Sequence, residues 1–162
     1  IGTWFVALIY GREVDMKLKQ VVISIENSPK RLLEVTTALG NAGINLRGLN
    51  LVDTGAFGQL RLLVSDVVKT RRILMEMQMP AFVNEVVAVE IEDKPGQLAR
   101  LLVPLGEAGI NIKYTYAFVA FSPGKAVMIF RFNDNDKAIE VLEKAGAKLL
   151  DAETFGMIES TP

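Results

Sequence analysis

Two short stretches of the 162-residue chain carry groups able to meet a small charged molecule: Glu92-Asp93-Lys94-Pro95-Gly96-Gln97-Leu98 and Gly109-Ile110-Asn111. A helix opening just after Pro95 leaves several backbone N–H groups unpaired and partly positive, ready for a carboxylate. Gly96 has no Cβ, so a ligand can come close to the backbone. Asp93 can receive an ammonium through a charge-assisted bond. Asn111 offers a donor and an acceptor. Opposite charges at opposite ends are what a zwitterion such as an amino acid requires. The same residues also suit a plainer purpose, Asp93 capping the helix and Asn111 bonding backbone at a bend.

Other chemistry is poorly provided for. The chain has neither His nor Cys, which removes the commonest general base, thiolate nucleophiles, disulfides and most transition-metal ligand sets. No convergent acid–base pair stands out, so we expect no catalytic residue, no metal site and no cofactor. Half of the residues are hydrophobic and 23% are charged, a globular composition. Net charge is −1 overall, but residues 16–84 hold 9 Lys+Arg against 5 Asp+Glu, and residues 85–162 hold 8 against 12. Halves of charge +4 and −4 would attract one another or a second chain. Neither half carries the dense basic stripe of a nucleic-acid binder.

Residues 1–15 match nothing later in the chain, whereas Met16-Lys17-Leu18-Lys19 reads as a natural start. The apolar run Trp4–Tyr10 is too short to span a bilayer and lacks the flanks of a signal peptide. We read 1–15 as upstream or appended sequence, and expect a cytoplasmic protein with no membrane contact.

The chemistry-bearing stretches recur. At an offset of 66 positions, Val21–Leu46 lies over Val87–Ile112 without a gap, and 11 of the 26 pairs are identical. Leu39-Gly40-Asn41-Ala42-Gly43-Ile44-Asn45 overlies Leu105-Gly106-Glu107-Ala108-Gly109-Ile110-Asn111. One supersecondary unit is used twice. Each copy reads as strand (20–26, 86–92), helix, strand (44–52, 110–121), strand (59–64, 126–132), helix (66–78, 134–145) and a closing strand (81–84, 148–152). Val87, Val89 and Ile91 alternate with wetter residues. Leu98, Leu101, Leu102 and Leu105 follow at helical spacing. Pro29 and Pro95 suit a first helical turn, and Gly43 and Gly109 suit the residue just past a helix end. Pro104 should kink or shorten its helix.

This is α+β architecture: two tandem ferredoxin-like βαββαβ units, antiparallel sheets with helices packed on one face. The units span 16–84 and 85–157, followed by a tail, 158–162. About two residues separate the last strand of one from the first of the next, so the units must be docked.

At these residues the chain resembles the ACT-domain family, whose units carry Asp/Asn-x-Pro-Gly-x-Leu leading into a helix and Gly-Ile/Val-Asn-Ile leading out. Asp93–Leu98 and Gly109–Ile112 match fully; Asn27-Ser28-Pro29-Lys30-Arg31-Leu32 and Gly43–Leu46 match with Lys30 in place of Gly. It is similar to short proteins made of two such units and nothing else. The resemblance implies a regulatory protein, not an enzyme, that binds a free amino acid between units paired side by side through sheet edges. Carried over, it puts Asn27, Ser28 and Asn45 in one site. The other takes Asp93 and Asn111 with Lys94, Pro95, Gly96, Gln97, Leu98 and Ile110. Lys30 narrows or closes the first of these, or itself meets a carboxylate. A homodimer is expected, and a separate partner protein would supply the output. The alternative is an interaction module that kept the fold without the ligand, using strand Tyr114–Phe121 for contact.

Overall fold

The computed structural model describes residues 14–159, so the expectation for residues 1–13 lies outside the described residues. The chain order is β1 (Lys17–Glu26), α1 (Arg31–Asn41), β2 (Leu46–Asp53), β3 (Phe57–Val64), α2 (Val67–Glu76), β4 (Ala81–Glu92), α3 (Gln97–Glu107), β5 (Ile112–Ser122), β6 (Lys125–Phe132), α4 (Asn135–Lys144) and β7 (Lys148–Leu150). The pattern βαββαβ occurs twice, as the repeat requires.

Local chemistry accounts for the ends of the helices. Asp66 and Asp134 sit in extended backbone and accept the amides of Lys69 and Lys137, capping α2 and α4. Gly43 and Gly109, at φ +74° and +68°, turn the chain out of α1 and α3 through left-handed backbone that favours glycine. Pro104 does not shorten α3, which runs on to Glu107 and equals α1 at 11 residues.

The expected break between units is absent. The closing strand of the first unit and the opening strand of the second are one strand, β4. Its residues 81–87 pair with β1, and residues 87–92 pair with β6. Beyond the end of β1, Ala88–Glu90 pair with β7. All seven strands form one sheet, ordered β2-β3-β1-β4-β6-β5 with β7 beside β4. No turn intervenes because no residue between Ala81 and Glu92 breaks a strand; the run holds no Gly or Pro.

Strand pleating divides the sheet into two faces. One face carries Val21, Ile23, Leu60 and Leu62, packed with Val35, Leu39 and Leu74 of the first pair of helices. On that same face Val87, Val89, Met128 and Phe130 pack with Leu105 and Leu142 of the second pair. The helix-free faces of the two units meet each other, the sheet bending back about β4. Phe118 of β5 reaches Gly48 of β2 so closely that a Cβ there would lie 2.5 Å from its Cζ. Val127, Ile129 and Leu150 join the first unit's core. The result is four layers, with helices outside and the doubled sheet within.

Polar groups are threaded through this inner contact. Gln20, fully buried, donates to Asn84 Oδ1 (2.8 Å) and to the Tyr114 hydroxyl (2.7 Å), while Tyr116 donates to Gln20 Oε1 at 2.5 Å. Arg61 lies 3.7 Å over the Tyr114 ring and donates to Asn50 and Gln59. Burial, reinforced by Tyr114 and opposed by Arg61, pushes the Tyr116 phenol far above its ordinary range. An unfolded chain ionises Tyr116 near about pH 10, whereas the folded chain keeps it neutral. The folded state therefore binds more protons above that pH, and stability falls as pH rises. We expect alkaline unfolding to steepen above about pH 10, and Tyr116→Phe to flatten it; chemical denaturation at stepped pH measures both.

The chain beyond β7 returns to the first unit. Phe155 and Met157 enter its core. Ile158 exchanges backbone bonds with Ser65 and Val67. Glu159 accepts the Lys19 amide at 2.6 Å. The segment expected as a tail is thus anchored in its first two residues. Among the described residues the opposite charges of the halves meet in one close pair, Lys17 with Asp136 at 2.8 Å.

Candidate functional site

The loop from β4 into α3 presents Asp93, Lys94, Pro95 and Gly96. The Asp93 amide donates to the Gly124 carbonyl (2.9 Å), which ties the loop to the β5–β6 turn. Gly96 stands at φ +84°, directly before α3. A Cβ at Gly96 would meet nothing within 4 Å. Glycine is therefore needed there for left-handed backbone rather than for room. Lys30 holds the same place in the first unit at φ −92°, ψ −20°. The two loops accordingly differ in backbone path.

No side chain caps α1 or α3, so neither Asn27 nor Asp93 serves as a helix cap. Among the described residues the Leu98 and Ala99 amides find no partner, and neither does the Asp93 carboxylate. Asn27 differs: its amide donates to Asp53 Oδ2 (3.3 Å) and the Gly55 carbonyl (3.4 Å), within its own unit. Ser28 and Lys94 play matching backbone parts, each donating to a glutamate carbonyl two residues back and accepting from the first helical residue. Lys94, 2.9 Å from Glu92 and helped by Lys125, holds the Glu92 carboxyl below its usual range.

Asp93, Lys94, Gly96 and Leu98 rim an open depression of about 470 Å³ between α3 and the β5–β6 edge of the sheet. Its floor is apolar, built from Ala99, Leu102, Ala117, Ala126 and Met128, with Ile91 beside them. Of these, Leu102 and Ile91 stand out in sequence only as core positions by their spacing, and the three alanines not at all; alanine among core positions gives no chemical signal. Pro95 and Gln97 stay outside the depression.

Asn111 is not brought to Asp93. The loop holding Asp93 precedes α3 and Asn111 follows it, so the 11-residue helix, about 16 Å long, stands between them. Ile110 is buried in the core at that far end. Asn111 and Asn133 bind each other through the Asn111 amide to Asn133 Oδ1 and the Asn133 amide to the Asn111 carbonyl, each 3.0 Å. In the first unit Ser65 braces Asn45 in the same way. Both asparagine side chains lack an internal partner among the described residues. Asn133 and Ser65 were missed in sequence because they lie in the second half of each unit, outside the gapless overlap.

A model of the ACT domain pair matches residues 16–156. The chain belongs to the ACT-domain family. Among solved structures this ACT-domain pair is similar to protein BT0572 from Bacteroides thetaiotaomicron, 34% identical, covering 88% of this chain and 98% of that one with a TM-score of 0.83. It also shares its fold with the regulatory subunit of aspartate kinase from Thermus thermophilus (18% identity, 82% and 95% covered, TM-score 0.58) and that from Thermus flavus (16%, 83% and 95%, 0.53). No protein of curated function matches the chain in sequence. Within the described residues, no helix of the ACT-domain pair is long and apolar enough to cross a membrane.

Proposed function

We propose that this ACT-domain pair is a regulatory protein rather than an enzyme, and that it binds a free amino acid at the β4–α3 loop. The observation that carries the reading is that the Asp93 carboxylate and the amides of Leu98 and Ala99, three residues that line one depression, are unengaged among the described residues. The carboxylate suits an α-ammonium, and the partly positive amides suit an α-carboxylate. The fold shared with regulatory subunits of aspartate kinase agrees with a regulatory part.

Asn111 enters such a site only from a second unit, since α3 separates it from Asp93. β5 is an edge strand of the sheet, with Asp93 near its end and Asn111 at its start. Antiparallel pairing of β5 with β5 of a second copy would set Asn111 of one chain near Asp93 of the other. A homodimer with two such sites follows, and the ligand favours it by its differential affinity for that arrangement. The output then belongs to a partner protein.

Thermal denaturation against each of the twenty amino acids at millimolar concentration tests the reading. One of them should raise the midpoint in proportion to the logarithm of its concentration. Asp93→Ala and Asn111→Ala should each remove the shift without lowering the ligand-free midpoint. Should no amino acid move the midpoint, the interaction-module reading takes its place, favoured by the open edges β2 and β5.

A further inference from the structure

The register of the strands gives a residue-by-residue equivalence of the two units that the linear repeat does not reach. Leu51 pairs with Leu60 across β2 and β3, as Ala117 pairs with Met128 across β5 and β6. Gly58 faces Ile25, as Ala126 faces Ile91. Leu51 therefore stands where the second unit has Ala117, and Gly58 where it has Ala126. On the helix, Leu33 replaces Ala99.

These are compensating exchanges. The Cδ1 of Leu51 lies 3.2 Å from where a Cβ on Gly58 would be, so the leucine is laid over the glycine and takes up the space above it. In the second unit the leucine is gone, the glycine has become alanine, and the space above is the depression. Lys30, in right-handed backbone where Gly96 is left-handed, alters the loop at the same end.

The geometry points to one working ligand site per chain: the first unit's hollow is filled by its own Leu51 over Gly58, and the second unit's hollow, floored by Ala99, Ala117 and Ala126, takes an amino acid with a bulky apolar side chain. This rests on the amino-acid-binding reading above and adds stoichiometry and ligand class to it. A charged side chain would lose its hydration against a floor of Leu102, Met128 and alanines that offers no polar group in return. An apolar one gains by leaving water.

Titration calorimetry on the full chain decides it, with leucine, valine, glycine, aspartate and lysine as probes. The expected result is one bound ligand per chain, with leucine or valine preferred over glycine by roughly 10-fold or more. Ala117→Leu with Ala126→Gly, which copies the first unit's arrangement into the second, should abolish binding. Ala99→Leu, at an exposed helix position, should weaken it and guards against a folding defect in the pair. Conversely, Asn27→Asp and Lys30→Gly with Leu33→Ala, Leu51→Ala and Gly58→Ala, which copies the second unit's arrangement into the first, should raise the stoichiometry to two. Two ligands per wild-type chain, unaltered binding by both filled variants, or one ligand per chain in the opened variant would overturn the occlusion and leave amino-acid binding standing. A preference for aspartate or lysine would overturn the ligand class alone. Absence of any binding to the wild type would overturn this inference together with the reading beneath it.

Discussion

Replacing Gln20 by leucine is expected to lower the unfolding free energy by about 2–5 kcal/mol, more than its change in apolar area would suggest. Gln20 is fully buried and serves three groups at once, Asn84, Tyr114 and Tyr116. Leucine fills a similar volume but answers none of them. The Tyr116 hydroxyl loses its acceptor and Asn84 Oδ1 loses a donor, each cost falling in the range of a buried unpaired polar group. Tyr114 retains the Asn84 amide at 3.2 Å, which limits the damage. Tyr116→Phe removes only one partner and should cost about 1–2 kcal/mol. A double-mutant cycle joining the two substitutions should show strong non-additivity, because both act on one network. Additive losses would mean that Gln20 acts by packing alone. Urea unfolding of the four chains measures this.

Truncating Phe130 to alanine should be comparably severe, about 3–5 kcal/mol. Phe130 is fully buried. It stacks on Phe132 at 5.2 Å between centroids and lies opposite Val87, where β4 passes from one unit to the other. The vacated volume is bounded by strands on both sides and by α3 and α4 above, so little can collapse into it. With roughly 2–4 °C of midpoint per kcal/mol for a chain of this size, a fall on the order of 6–20 °C is expected by calorimetry. A loss under about 1 kcal/mol would mean that the site refills.

The repeat made the element order legible, because conserved offsets such as Leu39/Leu105 and Gly43/Gly109 register two copies of one plan. The edges of elements followed from capping chemistry, Asp66 and Asp134 being where a helix start needs them. What sequence could not show was long-range. The alternation in Tyr114-Thr115-Tyr116-Ala117-Phe118 says that two faces differ, but not that the aromatic face meets Gln20 and Gly48 from the first unit. The boundary near residue 84 reads as a link of about two residues between docked units, because the repeat marks off two copies of one plan; hydrogen bonding ignores repeat boundaries where nothing breaks the strand. The candidate site was half legible. Asp93 and Gly96 stand out by type, whereas the sequence does not show that Asp93 and Asn111 of one unit sit at opposite ends of α3, so that a site holding both must draw them from different units. The alanine floor came into view only with the depression that it lines.

The continuity of β4 has a mechanical consequence. Two domains joined by a flexible loop can swing about it, but here the joint is itself a strand with partners along both of its halves. Relative motion of the units must be taken up as torsion along the sheet, with little hinge to absorb it. A load applied at the β4–α3 loop is then transmitted to β1 through the ladder, and the molecule works less like a clamp than like a short torsion bar.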